Sequence, residues 1–179
     1  PKGRNTGPAI ALAALQCARQ FSGDTVMLVL SADHLVPDVH AFVASATEAF
    51  RLAQEGNLVV FGVSPTSPDT GFGYIEVEHV SRESQSVKRF VEKPDLETAQ
   101  KYLATGRYYW NSGMFAFTAD TIIAALEAHA PEVLRAARQA LETASTSGAS
   151  VNFDLHTFGL QPDISIDYAV LEHASNVHV

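Results

Sequence analysis

The residues of this sequence suited to phosphate chemistry are two aspartates, one lysine and several loop amides. Asp33 follows the apolar run 25–30 directly, within Ala32-Asp33-His34. Ligands of open parallel sheets sit beyond the carboxyl ends of the strands. A carboxylate there can hold Mg²⁺ while phosphates complete the shell. A turn or cap aspartate is the equal alternative from position alone. Asp167, in Ser165-Ile166-Asp167-Tyr168-Ala169, reads on its own as a helix cap. Its pairing with Asp33 is what makes a metal role attractive, because two carboxylates on one divalent ion suit phosphoryl transfer.

Glu92-Lys93-Pro94 closes a strand, and Pro94 keeps Lys93 out of helical geometry. Lys93 could give a phosphate a point charge and Glu92 could accept from sugar hydroxyls. The plain alternative is a surface ion pair and a proline stop. Gly71-Phe72-Gly73 permits close backbone approach, or leads into a hairpin. Asn111, in Trp110-Asn111-Ser112-Gly113, offers an amide to a hydroxyl or closes an Asx turn. The histidines lack metal-ligand spacing, and Cys17 reads as packing on a buried helix.

These residues need a scaffold of alternating strands and helices. Asn5 or Thr6 caps an Ala/Leu-rich helix with Pro8 in its first turn. The runs 25–30 and 58–63 read as buried strands, joined by a helix that Asp38 caps and Gly56 ends. Strand, helix, strand implies a right-handed crossover and a parallel pair. Tyr74–Val80 and Ser86–Glu92 alternate and predict an antiparallel hairpin with a polar turn at 81–85. Asp95 caps a helix that Gly106 ends, Met114–Phe117 is a short strand, and Pro131 separates two further helices. Thr143–Ser150 reads as a loop. The fold class is α/β: a Rossmann-like mixed, mainly parallel sheet with helices on both faces.

Composition sets bounds. The 179 residues are 46% apolar and 18% charged, with a net charge of −8 and one cysteine. No internal disulfide can form, and a cytoplasmic setting is expected. No basic stripe points to nucleic acid, and no apolar run approaches the roughly 20 residues that span a bilayer. The sequence begins without methionine and stops in what reads as a strand, so residues 1–179 are expected to be an internal part of one domain.

In order, these motifs resemble the sugar nucleotidyltransferase family, and within it the mannose-1-phosphate guanylyltransferases, including the bifunctional type fused to a mannose-6-phosphate isomerase. The resemblance is carried by Gly3-Arg4-Asn5-Thr6-Gly7-Pro8-Ala9, Ala32-Asp33-His34, Thr70-Gly71-Phe72-Gly73-Tyr74-Ile75, Phe90-Val91-Glu92-Lys93-Pro94, Tyr109-Trp110-Asn111-Ser112-Gly113-Met114-Phe115 and Ser165-Ile166-Asp167-Tyr168-Ala169-Val170. Phe72 stands where the family has Tyr and Ser31 where it has Pro. The resemblance implies the nucleotide-diphospho-sugar transferase fold, incomplete at its N-terminus because the family's glycine-rich triphosphate loop is not in the sequence; the remainder beyond residue 179 is likewise not in it. It implies GTP and mannose 1-phosphate as partners, no nucleic acid or membrane, and GDP-mannose for polysaccharide biosynthesis, and leaves a homo-oligomer open. Asp33 and Asp167 would hold Mg²⁺, and Lys93 would meet the sugar phosphate. Glu92, Asn111 and Gly73 would meet the mannose, with Arg4, Asn5 and Thr6 near the base. The 179 residues alone are expected to turn over little. Another base or sugar, and a non-catalytic regulatory subunit, are the competing readings.

Overall fold

The computed structural model describes residues 2–81, 83–148 and 150–179; Pro1, Arg82 in the predicted turn and Ala149 in the predicted loop lie outside them. In chain order the elements are α1 (Thr6–Gln20), β1 (Val26–Val29), α2 (Val39–Gln54), β2 (Leu58–Val63), β3 (Tyr74–Glu76), β4 (Arg89–Val91), α3 (Leu96–Thr105) and β5 (Tyr108–Thr118). They continue as α4 (Ala119–His129), α5 (Pro131–Glu142), β6 (Ser145–Ser147), β7 (Ser150–Asn152), α6 (Leu155–Gly159), a π-helical turn (Asp167–Leu171) and β8 (Val177–His178). They form two compact units. Residues 1–25 and 119–174 make the first, residues 26–118 and 175–179 the second.

The second unit contains a six-stranded mixed sheet in the order β4-β3-β5-β2-β8, with β1 pairing β5 off this path. The α/β class and mixed sheet are as expected, but the pairing corrects the parallel prediction. β1, β2 and β3 each pair antiparallel with β5, and β8 joins β2 in parallel. Four strands therefore run one way, yet β5 runs against three of them from the centre. β1 and β2 point the same way with β5 between them, which no local pattern could announce.

β5 also corrects the reading of Met114–Phe117 as a short strand. It is eleven residues long and absorbs Trp110-Asn111-Ser112-Gly113. Its pairing with β2 slips between Val60↔Phe115 and Gly62↔Asn111, so residues 112–114 bulge, with Gly113 at φ 70°. Glycine at positive φ is what such a bulge needs.

Both helices of this unit pack on one sheet face. Ala49, Leu52 and Ala53 of α2 meet Val59 and Ala116, and Ala99 and Tyr102 of α3 meet Tyr74 and Tyr108. The register puts Val59, Ala116 and Trp110 on one side of the pleat and Val60, Phe115 and Asn111 on the other. Asp38 caps α2 by accepting from Ala41 N at 2.9 Å, and Asp95 caps α3 by accepting from Thr98 N at 2.8 Å. Gly106 ends α3 in the left-handed conformation.

In the first unit α1 packs against α4 and α5. Pro131 opens α5, as its fixed φ favours. The stretch read as a loop at 143–150 contributes β6 and most of a β6–β7 hairpin. Its small polar residues hide the pairing because neither strand buries a face. No helix among the described residues is long and apolar enough to cross a membrane.

Candidate functional site

The register of the sheet gathers the sugar-site candidates. Tyr74 faces Val91 on one side and Trp110 on the other. One residue earlier, Gly73 therefore lies between Glu92 and Asn111, and Asn111 N donates to Gly73 O at 2.8 Å. Glu92, Gly73 and Asn111 form a row across three strands, on the sheet face opposite α2 and α3. The middle position has no side chain. A Cβ there would lie 2.6 Å from Glu92 Oε2 and 3.2 Å from the Phe90 ring. The Glu92 carboxylate thus leans over Gly73 toward Asn111. It is largely buried, with 12% of its side chain exposed.

Lys93 continues the row. Its φ is +44°, and its Nζ lies 3.5 Å from Glu92 Oε1 with the side chain exposed. Asn5 is the other non-glycine described residue at positive φ, at 67°. Such conformations cost roughly 1–3 kcal/mol and gather at functional sites. Both fall in motifs that the sequence singled out. Pro94 after Lys93 is buried.

Asp33 reaches this neighbourhood through β1. β1 covers residues 115–118 of β5 and β3 covers residues 108–110. Both lie on the side of β5 away from β2, because β2 occupies the other side at 115 and at 110. The bulge at 112–114 therefore faces a gap between the end of β1 and the start of β3. Ser31 leaves β1 into that gap, its Oγ 3.6 Å from where a Cβ on Gly113 would sit. Asp33 follows in an exposed turn, with no hydrogen bond or ion pair among the described residues. It caps nothing there; Asp38 does that.

The remaining candidates form a cluster in the first unit. Thr6 Oγ1 accepts from Ile166 N at 2.9 Å, and Gly7 N donates to Ile164 O at 3.0 Å. Two motifs 160 residues apart in sequence are thereby joined, with Asp167 one residue beyond the link. Ser165 Oγ accepts from Tyr168 N at 3.3 Å beside this turn. Half-buried Asp167 opens the π-helical turn, its carbonyl accepting from Glu172 N. Such turns are frequent at functional sites. Arg4 donates to Gly159 O, and its Nε is buried without a partner. Arg4 and Asn5 also border a cavity of about 540 Å³ whose walls include Pro8, Leu12, Phe153 and Phe158.

The sequence motifs gave Gly113 no role of its own. The signal for Gly113 was present, since an isolated glycine in an aromatic run marks a bulge. Among the described residues no three His, Cys, Asp or Glu side chains gather as a metal-binding group.

A bulged central strand, with polar loops collected where its neighbours part, is the framework of an α/β ligand-binding domain. The chain belongs to the nucleotidyl transferase family, whose profile matches residues 1–154. It is 47% identical over 179 residues to the xanthan biosynthesis protein XanB of Xanthomonas campestris, covering all of this chain and 38% of that protein. It is 44% identical to the mannose-1-phosphate guanylyltransferase of Escherichia coli K12, covering all of this chain and 39% of the relative. A crystal structure described as mannose-6-phosphate isomerase from Helicobacter pylori superposes with a TM-score of 0.90 at 34% identity, covering 99% of this chain and 68% of that one. The chain thus spans under two-fifths of the length of these two curated relatives.

Proposed function

We propose that this chain carries the substrate sites of a mannose-1-phosphate guanylyltransferase, which joins GTP and mannose 1-phosphate into GDP-mannose and pyrophosphate. The observation that carries this reading is the row Glu92–Gly73–Asn111 with Lys93 beside it. A carboxylate and a carboxamide flank a glycine saddle, suiting ring hydroxyls that both donate and accept. The adjacent ammonium suits the 1-phosphate.

The cavity beside Arg4 and Asn5 supports a nucleotide base near the Arg4-Asn5-Thr6 loop. Asp33 and Asp167 would hold Mg²⁺. Both offer hard oxygen ligands, and Asp33 has no competing partner among the described residues. When bound, the ion would neutralise charge on the triphosphate. The attacking oxygen belongs to a phosphate that is already ionised, so no general base is needed. Glu92 and Asn111 orient the sugar, Lys93 holds the phosphate, and positioning and electrostatics lower the barrier. A cytoplasmic setting and a role in polysaccharide biosynthesis accord with this reading, the latter supported by the likeness to XanB.

The test is Mg²⁺-dependent pyrophosphate release by the full-length protein, given mannose 1-phosphate with GTP, UTP, dTTP or ATP in parallel, beside Asp167→Asn. Release with GTP alone, lost in the variant, is expected. Release with another nucleotide alone would move the substrate within the family. No release with any nucleotide would sink the catalytic reading.

A further inference from the structure

The Glu92–Lys93 pair has a property that neither residue's expected role requires. Consecutive residues of a strand point to opposite faces. Phe90 lies on the face of Ile75, Val91 on the face of Tyr74, and Glu92 returns to the Phe90 face, where its carboxylate covers Gly73. Continued alternation would send Lys93 back to the Val91 face. Its left-handed backbone breaks that alternation, and its ammonium ends 3.5 Å from the Glu92 carboxylate. The residue suited to a phosphate and the residue suited to sugar hydroxyls thus lie within ion-pair distance of each other.

We infer that Glu92 and Lys93 form an exchange pair that couples recognition of the two halves of a sugar 1-phosphate. This rests on the sugar-phosphate site proposed above. A phosphate at Lys93 competes with Glu92 for the ammonium. A hydroxyl at Glu92 competes with Lys93 for the carboxylate. Each half of the ligand loosens the partner that the other half needs. A ligand carrying both halves breaks the pair once and gains both contacts. Inorganic phosphate or the free sugar breaks it and gains only one. The pair thus discriminates against the two fragments without contacting any feature that the intact ligand lacks.

The coupling predicts a reversal of sign. Glu92→Gln keeps the shape of the side chain and removes its charge. It should weaken mannose 1-phosphate, because a charged acceptor of hydroxyl protons is replaced by a weaker neutral one. It should also tighten inorganic phosphate, because Lys93 loses its competitor. With the ammonium exposed, an ion pair of the strength usual at surfaces makes that gain about two- to five-fold. Lys93→Met should mirror this, with free mannose bound more tightly than by the wild type and mannose 1-phosphate more weakly.

The experiment titrates the full-length protein with inorganic phosphate, mannose and mannose 1-phosphate, reading ³¹P shifts and calorimetry. The proteins are wild type, both single variants and Glu92→Gln/Lys93→Met. The expected result is tighter phosphate in Glu92→Gln, lost in the double variant, and tighter mannose in Lys93→Met. If mannose 1-phosphate binds but phosphate is unchanged or weaker in Glu92→Gln, the exchange is overturned and the substrate reading stands. If mannose 1-phosphate fails to bind the wild type, both fall. Should Glu92→Gln not fold, the mannose affinity of Lys93→Met decides by the same sign.

Discussion

Substituting Gly73 by alanine separates a site effect from a fold effect. The added methyl would lie 2.6 Å from Glu92 Oε2 and 3.2 Å from the nearest atoms of the Phe90 ring. Overpacking costs about 1–3 kcal/mol where nothing can yield. Here the closest atom is the tip of a flexible side chain, so the carboxylate swings away at small cost. Gly73 is not at positive φ. Alanine can adopt its backbone, and the stiffer unfolded chain returns about 0.4–1 kcal/mol. The net change in stability should be within about 1 kcal/mol, a small shift of the thermal midpoint. Binding should suffer more. A hydrogen bond to a charged acceptor contributes about 1.5–3 kcal/mol, so mannose 1-phosphate affinity should fall about 10- to 100-fold. Calorimetric titration of Gly73→Ala, Glu92→Ala and the double variant reads this as a cycle. Once Glu92 is gone, Gly73→Ala should cost almost nothing more. Unchanged affinity in the single variant, or an undiminished penalty in the Glu92→Ala background, would refute the argument that Gly73 exists to make room for the carboxylate.

Other substitutions probe the two units separately. Thr6→Val removes the acceptor of the Ile166 N–H while keeping the side chain's shape. It should destabilise the protein by about 1–3 kcal/mol, read by denaturant unfolding, because a half-buried donor loses its partner. Asp33→Asn should leave the melting temperature within about 1 °C, since a surface change without partners costs little, yet abolish Mg²⁺-dependent pyrophosphate release by the full-length protein. Glu48 is held down at about 2 by hydrogen bonds from Arg51 first and Ser84 second. A depressed carboxylate gives stability that is complete above its unfolded value of 4.5 and lost as pH falls toward about 2. Acid unfolding of Glu48→Gln should lack that component, and an identical acid profile would exclude the pairing in solution.

The helix ends were legible because their determinants are local. Asp38, Asp95, Gly106 and Pro131 each act within one turn of chain, and each does what its type and position predict. The β3–β4 hairpin was legible for the same reason. The centre of the sheet was not, because strand neighbours are chosen by burial across long separations. Asn111-Ser112-Gly113 has loop chemistry, and it becomes strand because Gly73 and Gly62 supply partners from both sides. That override is itself informative. Local preference and global fold should agree except where function imposes a cost, and the disagreements here fall at Asn111–Gly113, at Lys93 and at Asn5. The first two adjoin the glycine saddle, and the third opens the loop tied to the segment before Asp167. The sequence motifs named these segments from their residue types. The backbone marks them again through a bulge and two left-handed residues. Residue type and backbone conformation thus mark the same few positions within each unit.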